Sequence, residues 1–247
     1  TLIQNIKNSV DIYANISTHV GGMVGSLRTA TVDRCEYSGH LNGLSSGNGV
    51  AGIAGYTNYG TITNCIFSGS IEGDGTGYFA GILGYVNNTS ADVKGCLSVG
   101  IIENGVSNYV GALLGRVRSI GTYANNFYTG EGKGIGGGEA ATSDIVVANS
   151  TLVTDEQVAS GEVAWGLNGS TYIIPAYYQI LGHTDVPVFD STHDLVYPTV
   201  DGFNCMQLDD SMDDFLYELA ELQQAKAQET VAFQQVIDNY MAAIVPL

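Results

Sequence analysis

The sequence predicts a mainly β protein: a parallel β-solenoid (β-helix) with turns of about 30 residues, then a small α/β cap and a C-terminal helical segment. Three observations favour this fold class. One phrase repeats at a nearly constant interval, glycine is abundant at 33 of 247 residues while only 13% are charged, and helix-like periodicity starts late in the chain. The predicted boundaries are 1–140 for the solenoid, 141–200 for the cap and 201–247 for the helical segment.

The repeated phrase has two glycines that bracket two apolar residues, then a polar turn and a second apolar strand. Its second glycine stands at Gly25, Gly55, Gly84 and Gly115, at intervals of 30, 29 and 31 residues. Glycine allows positive φ and close backbone approach, which a chain needs at a corner. A single unit cannot bury its own apolar face, so at least three copies must stack and the ends need caps.

The second strand of each phrase alternates between apolar and polar residues, with a break. In the copy at residues 61–69, Ile62, Cys65 and Phe67 predict one inward face interrupted by a bend or bulge. Residues 1–16 resemble the end of an earlier copy. We therefore expect the chain to be a fragment of a longer protein, with any secretion signal upstream of it.

Three of the four cysteines occupy one position of the phrase. Cys35, Cys65 and Cys96 align there, and Asn126 takes the position in the fourth copy. No pair has the short spacing of a zinc site. We interpret these thiols as small buried side chains lining the solenoid. The alternative is that two neighbours oxidise, because adjacent rungs lie ~4.8 Å apart and disulfides need Cα separations of ~4.4–6.8 Å.

The residues after the repeats predict a cap. Residues 131–144 are glycine-dense and read as a flexible crossing; a phosphate-binding loop is the weaker alternative, since the flanking strand, helix and Lys-Ser/Thr ending are missing. Residues 145–147 read as a short strand. Thr154 and Gln157 form a capping-box pattern that opens a helix over 154–165, and residues 186–188 suggest an edge strand. We expect this segment to be a lid on the last rung.

The last part of the chain changes to a helical pattern. Residues 209–245 contain no glycine or proline, and apolar residues recur at intervals of three and four with an acidic opposite face. One long helix and a helical pair with a break near 225–230 both fit this pattern. The apolar stripe could pack on the cap, on a partner chain or on a neighbouring domain.

Charge and motifs exclude several functions. A net charge of −17 with only 8 Lys plus Arg disfavours nucleic acid and anionic membranes as partners. No apolar run reaches the ~18–20 residues of a membrane span, and no His-Glu-x-x-His motif occurs. Acidic residues do not recur at one position of the phrase, so we expect no enzyme, no cofactor and no metal site. A calcium loop at residues 72–75 is a weaker alternative to a solvated acidic turn.

Tyrosine is the one enrichment that suggests recognition. Tyr56, Tyr59 and Tyr85 follow the glycine-bracketed strand and predict an exposed aromatic ladder suited to a sugar or a protein. The alternative is that these rings only cover the edge of a rung.

The phrase resembles the GLUG-motif repeats of bacterial surface proteins and of accessory regions of large secreted peptidases. Residues 22–25, 52–55 and 81–84 match the motif, and Ala112 departs from it in the fourth copy. Residues 160–168, 178–182 and 187–188 resemble phrases that follow such repeats in surface proteins of gut bacteria. The resemblance implies an extracellular or cell-surface, non-enzymatic region that adheres to a host or matrix glycan, mucin or protein, or a rigid spacer between other domains of a longer chain. A polysaccharide-processing β-helix and a substrate-positioning region of a secreted peptidase are the alternatives.

Overall fold

A computed structural model describes residues 1–15, 18–43, 48–87, 91–170 and 175–206, together with residues 225, 226 and 228. Within this part the chain forms a parallel β-solenoid of about four turns, which confirms the predicted fold class. Most of the predicted C-terminal helical segment lies outside the described residues. Residues 225, 226 and 228 are helical, whereas Gly202–Met206, at the start of that segment, is a strand.

The turns of the solenoid follow one another with the same order of short strands. An incomplete first rung contains β1 (Leu2–Asn8) and β2 (Ile12–Ala14), as the resemblance of residues 1–16 to an earlier copy predicts. The later strands are β3 (Val20–Gly21), β4 (Val24–Leu27), β5 (Thr31–Tyr37), β6 (His40–Gly43), β7 (Gly49–Ala51), β8 (Ala54–Thr57), β9 (Thr61–Thr63), β10 (Ile66–Phe67), β11 (Ser70–Glu72), β12 (Tyr78–Ala80), β13 (Leu83–Val86), β14 (Asp92–Lys94), β15 (Leu97–Ser98), β16 (Ile101–Glu103), β17 (Tyr109–Gly111), β18 (Leu114–Val117), β19 (Tyr123–Ala124), β20 (Asn126–Tyr128) and β21 (Ile135–Gly137).

These strands stack in register into four parallel walls. Wall A contains β1, β5, β9, β10, β14, β15, β19 and β20; wall B contains β2, β6, β11 and β16; wall C contains β3, β7, β12 and β17; and wall D contains β4, β8, β13, β18 and β21. Phe79, for example, pairs with Val50 in the rung before and with Val110 in the rung after. Equivalent positions of the repeat therefore form columns that run along the solenoid.

The two glycines of the phrase are required for different reasons. A Cβ atom on the first, Gly52, would lie 2.2 Å from the ring of Phe67 on wall A and 2.6 Å from the carbonyl oxygen of Gly81. A Cβ atom on the second, Gly55, would lie 2.6 Å from the carbonyl oxygen of Val20, at the corner between walls C and D. The first glycine makes room for a core aromatic side chain, and the second lets two backbones approach closely.

The predicted bend in wall A is a column of residues with left-handed backbone. Arg34, Asn64, Gly95 and Asn125 have φ values of 48°, 50°, 61° and 52°, and Asn5 in the first rung has 57°. Asparagine and glycine tolerate this conformation better than most residues do. The bend splits the wall and lets the residues on both sides of it point inward, which confirms the interrupted inward face.

The aligned cysteines are buried free thiols, as predicted. Each Sγ atom lies near the carbonyl oxygen two residues earlier, at 3.4 Å for Cys35, 3.2 Å for Cys65 and 3.4 Å for Cys96. In the fourth copy of the phrase the Asn126 amide donates to the Val93 carbonyl at 3.1 Å and accepts from the Cys96 N–H at 3.0 Å. Burial raises the pKa of the Cys65 thiol well above its usual value, which keeps it protonated and unreactive.

The glycine-dense segment after the fourth copy is partly a fifth strand of wall D. Ile135 pairs with Leu114, and Gly137 pairs with Arg116. A Cβ atom on Gly136 would lie 2.5 Å from the carbonyl oxygen of Gly115, so this glycine continues the tight corner of the phrase. The expected flexible crossing therefore covers fewer residues than the sequence suggested.

The cap contains short elements: α1 (Asp144–Ala148), β22 (Ser150–Leu152), α2 (Asp155–Ala159), α3 (Glu162–Leu167), β23 (Leu195–Thr199) and β24 (Gly202–Met206). The strand predicted at 145–147 is wrong, because these residues form α1, which buries Val146 against the solenoid core. The capping box of Thr154 and Gln157 is confirmed. The single predicted helix is two helices, since Gly161 has a φ of 88° between α2 and α3. Residues 186–188 contribute one bridge, between Val188 and Tyr178.

The cap covers the side of the solenoid more than its end. α1 and β22 extend the last rung, and β22 pairs with β20. The cap residues Val158, Val163 and Leu167 pack with Ile66 and Leu97, which point outward from wall A. This location differs from the expected lid on the last rung, because wall A presents an apolar column on its outer face as well as on its inner face.

Two buried polar side chains, Asn168 and Gln179, hold the cap together. The Asn168 side chain accepts hydrogen bonds from the backbone N–H groups of Ala176 (2.9 Å) and Tyr177 (3.0 Å) and donates to the Tyr177 carbonyl at 2.8 Å. The Gln179 amide donates to the carbonyls of Val158 (3.0 Å) and Thr184 (2.8 Å). Each amide therefore replaces backbone pairing that the irregular cap lacks.

Candidate functional site

The repeat brings aromatic side chains together along the corner between walls C and D. Tyr56, Tyr85 and Arg116 occupy one column of wall D, in successive rungs. Tyr78 and Tyr109 occupy one column of wall C. We call these five residues and His19, which stacks on Tyr56, the aromatic strip. The strip exists because the in-register stacking repeats each tyrosine position from rung to rung.

The rings of the strip contact one another in sequence. His19 stacks on Tyr56 with centroids 4.4 Å apart and an interplanar angle of 18°. Tyr56 and Tyr85 are 5.7 Å apart at 53°, Tyr85 and Tyr78 are 4.7 Å apart at 51°, and Tyr78 and Tyr109 are 5.3 Å apart at 88°. The tyrosine rings are thus tilted or edge-to-face, an arrangement that aromatic pairs favour. They do not form a flat, continuous stacking platform.

Arg116 lies next to Tyr85 in the wall D column, at one end of the strip. Its guanidinium carbon lies 5.3 Å from the ring centroids of Tyr78 and Tyr109 and 6.0 Å from that of Tyr85. The guanidinium donates a hydrogen bond of 2.8 Å to the Tyr78 hydroxyl, and this contact is the main cause of the raised pKa of Arg116. Glu139 lies 3.4 Å away on the exposed side. The strip therefore combines aromatic surface with one fixed cation.

The side chain of Asn87 hydrogen-bonds to the hydroxyls of Tyr56 and Tyr85 at one side of the strip. Its Oδ1 atom accepts hydrogen bonds from the Tyr85 hydroxyl at 3.0 Å and from Arg118 at 3.3 Å. Its Nδ2 atom donates to the Tyr56 hydroxyl at 3.4 Å. These contacts restrict the rotamers of the tyrosines, so the strip is held in place before any partner arrives.

The structure brings together only two of the three predicted binding tyrosines. Tyr56 and Tyr85 are neighbours, but Tyr56 is only 7% exposed and Tyr85 is half-buried. Tyr59 is 54% exposed and lies outside the strip, in the turn between β8 and β9, with a φ of 112°. The three tyrosines therefore do not form the exposed ladder that the sequence predicts. That these tyrosines bind a partner stays a prediction.

Sequence reasoning missed the wall C half of the strip, although a signal was present. Three residues before the first glycine position of each phrase stand His19, Gly49, Tyr78 and Tyr109. Aligning the copies at this position would have identified an aromatic column beside Tyr56 and Tyr85. The position of Arg116 follows from the same alignment, since it replaces the tyrosine of the fourth copy.

One cleft beside the cap is lined by several acidic side chains. Asp155, Glu156 and Asp185 line a cleft of about 550 Å³ beside α2. Hydrogen bonding to its own backbone N–H and to Thr154 lowers the pKa of Glu156, whereas a general acid needs a raised one. Within the described ranges, no group of three or more His, Cys, Asp or Glu side chains is placed to hold a metal ion.

The fold and the strip define a repeat-built β-solenoid protein with an aromatic column, in which Tyr56 and Tyr78 are buried and Tyr85 and Tyr109 are half-buried. No family model matches the chain, and no curated protein is significantly similar to it in sequence. The chain is similar in structure to a crystal structure of a "putative immunoglobulin A1 protease" from Bacteroides ovatus, with a TM-score of 0.53 and 18% sequence identity. The match covers 76% of this chain and 57% of that chain. At this identity the likeness shows a shared fold, and this chain spans little more than half the length of its neighbour.

Among the described residues, none belongs to a helix that is both long enough and apolar enough to cross a membrane.

Proposed function

We propose that this chain is a non-enzymatic, GLUG-type repeat region of a bacterial cell-surface or secreted protein, which adheres to a partner protein through the aromatic strip. The observation that carries this proposal is the strip itself, in which four tyrosines and Arg116 are held in mutual contact. Tyrosine and arginine are enriched among the side chains that dominate protein–protein binding energy. The solenoid acts as the rigid support that holds this surface.

The tilt of the rings favours a protein over a sugar as the partner. A sugar ring binds most readily on a flat aromatic face, and the tyrosine pairs of the strip lie at 51–88° to one another. Side chains of a protein partner can enter the angled spaces between such rings and can pair with the guanidinium of Arg116. Because the strip is already ordered by Asn87 and Arg116, little conformational entropy is lost on binding.

The extracellular location and the absence of catalysis are parts of the same proposal. The glycine-bracketed phrase resembles the repeats of bacterial surface proteins, and the neighbour in structure comes from a Bacteroides species. The shifted carboxyl pKa values of Glu139, Glu156 and Asp190 are all lowered, which supports solvated acids rather than a general acid.

Binding to immobilised proteins tests the adhesion proposal. The panel contains mucin before and after enzymatic deglycosylation, extracellular-matrix proteins and immunoglobulin A, measured with the parent chain and with a Tyr85→Ala/Tyr109→Ala variant. We expect binding that survives deglycosylation and falls at least tenfold in the variant, with Tyr59→Ala as the matched control for an exposed tyrosine outside the strip. No binding by the parent chain would leave the rigid spacer as the better account.

A second candidate function is a substrate-positioning region of a secreted peptidase. The observation that favours it is the structural likeness to a protein whose name refers to immunoglobulin A1 proteolysis. Selective binding to immunoglobulin A1 within the same panel would support this candidate. Equal binding to immunoglobulin A1 and to unrelated glycoproteins would contradict it.

A further inference from the structure

A cleft lies between the first rungs of the solenoid and the cap, beside wall A. Its floor is formed by residues of β1 and β5, and its other side by a loop of the cap. We call it the junction cleft; its volume is about 420 Å³, within the ~300–1,000 Å³ of small-molecule sites. Asn5, Ile6, Lys7, Arg34, Glu36 and Phe189 are among the residues that line it.

The cleft forms where the outer face of wall A changes from apolar to charged. One outward column runs through Lys7, Glu36, Ile66, Leu97 and Phe127 in successive rungs. The three apolar members are packed against the cap, whereas Lys7 and Glu36 are not part of that apolar cluster. The cap follows the apolar part of the column and leaves an open space beside the charged part.

The charged side chains of the cleft are paired with one another or with a neighbour. Lys7 lies 3.0 Å from Glu36, whose side chain is only 13% exposed, and the Ser68 hydroxyl donates to the same carboxylate at 3.1 Å. Arg34 lies 2.9 Å from Asp33, and the Nδ1 atom of His193 lies 3.8 Å from the Asp190 carboxylate, beyond hydrogen-bond distance. The cleft therefore offers many hydrogen-bond donors and acceptors but little net charge.

The remaining wall of the cleft is apolar and well supported. Phe189 packs on the ring of Tyr177, with centroids 5.1 Å apart and an interplanar angle of 47°. Tyr177 is fully buried, and its hydroxyl donates to the Gly95 carbonyl of wall A. Ile6, which is 45% exposed, adds apolar surface from the first rung. The cap side of the cleft therefore presents apolar surface, whereas the floor carries charged side chains and one apolar residue, Ile6.

We propose that the junction cleft binds a neutral saccharide of one or two sugar units. A sugar has an apolar face of C–H groups, which fits beside Phe189 and Ile6, and a rim of hydroxyls, which can hydrogen-bond to the amide of Asn5 and to the paired charges of Arg34 and Glu36. The ion pairs leave no surplus cation for an anionic sugar, and the net charge of −17 repels one. The site lies apart from the aromatic strip and does not depend on the role proposed for it.

Saturation-transfer NMR with the full chain tests this inference at affinities down to the millimolar range. The probes are soluble oligosaccharides ending in galactose, fucose, mannose or N-acetylglucosamine, compared with sialylated and sulfated counterparts. We expect at least one neutral oligosaccharide to bind, with an affinity that changes less than twofold between 50 and 500 mM NaCl, since no net charge is neutralised on binding.

Two substitutions locate the binding in the cleft. Arg34→Asn keeps the left-handed backbone, because asparagine occupies the equivalent positions 64 and 125, and Phe189→Ala removes the apolar wall. We expect each to weaken binding at least tenfold, while Arg28→Met, an exposed cation elsewhere, and Tyr109→Ala in the strip leave it unchanged. The inference is overturned if no neutral oligosaccharide binds, if anionic ones bind better, or if Arg34→Asn and Phe189→Ala both retain affinity. Loss of protein adhesion in the strip variants is a separate result that leaves this one standing.

Discussion

Replacing Gly55 by alanine should damage the solenoid more than its size suggests. A Cβ atom at this position would lie 2.6 Å from the Val20 carbonyl oxygen, 2.7 Å from the Val20 nitrogen and 2.8 Å from the Gly25 carbonyl oxygen. All three are backbone atoms, so no flexible side chain can move aside. The neighbouring strands are held by hydrogen bonds, such as the 2.9 Å bond from the Ala54 N–H to the Ile82 carbonyl. Relief therefore requires a shift of whole rungs.

We expect Gly55→Ala to lower the free energy of unfolding by about 3 kcal/mol, the upper end of the usual cost of overpacking. For a chain of this size such a loss corresponds to a fall in Tm of roughly 6–12 °C. The assay is thermal and urea unfolding followed by circular dichroism. Two transitions would be fitted if the rungs unfold separately, since repeat arrays can depart from two-state behaviour.

Gly105→Ala and Gly132→Ala are the matched controls, because a Cβ atom at either position meets no other atom within 4 Å. We expect both to change stability by less than about 1 kcal/mol, with a small gain where alanine restricts the unfolded chain. If Gly55→Ala unfolds at the parent temperature, the close backbone approach at the corner is wrong, and with it the physical reason for the second glycine of the phrase.

Three further outcomes are expected. Tyr177→Phe removes a buried hydrogen bond to Gly95 and should cost about 1–3 kcal/mol, seen as faster proteolysis within the cap at an unchanged solenoid signal. Burial and nearby Asp11 raise the pKa of Tyr37 to about 12, so its contribution to stability is complete below pH ~10 and is lost as the pH rises towards ~12. In the Tyr37→Phe variant, the urea concentration at the unfolding midpoint should therefore change less with pH over this range than in the parent chain. A thiol reagent should label Cys205 in the folded chain and all four cysteines after denaturation. Fast labelling of a second cysteine in the folded chain would contradict the burial of Cys35, Cys65 and Cys96.

The solenoid could be predicted because its information is repeated along the chain. Each copy carries the second glycine, the same apolar alternation and the same break, so four weak signals support one periodic structure. The bend at Asn64 and the burial of the cysteine column follow from this periodicity. The fifth strand of wall D was missed because the glycine that continues the corner, Gly136, stands among other glycines without the rest of the phrase.

The cap and the candidate sites depend on contacts between distant residues, which a single sequence does not display. Tyr177 donates a hydrogen bond to the carbonyl of Gly95, which lies 82 residues earlier in the sequence. The position of the cap is indicated only by the apolar residues on the outer face of wall A. Residues 145–147 were predicted as a strand, yet they form α1, which buries Val146 against the solenoid core. Tyr59 was grouped with Tyr56 and Tyr85 by proximity in sequence, although only residues in register share a column.

We propose that this chain adheres to a protein through the aromatic strip. The most direct test is surface plasmon resonance with a partner protein from the panel, comparing Tyr109→Ala, at the half-buried end of the strip, with Tyr59→Ala outside it. We expect at least a tenfold loss of affinity for Tyr109→Ala, as for a tyrosine that contributes strongly to binding, and less than a twofold change for Tyr59→Ala. Equal affinities for the two folded variants would contradict it.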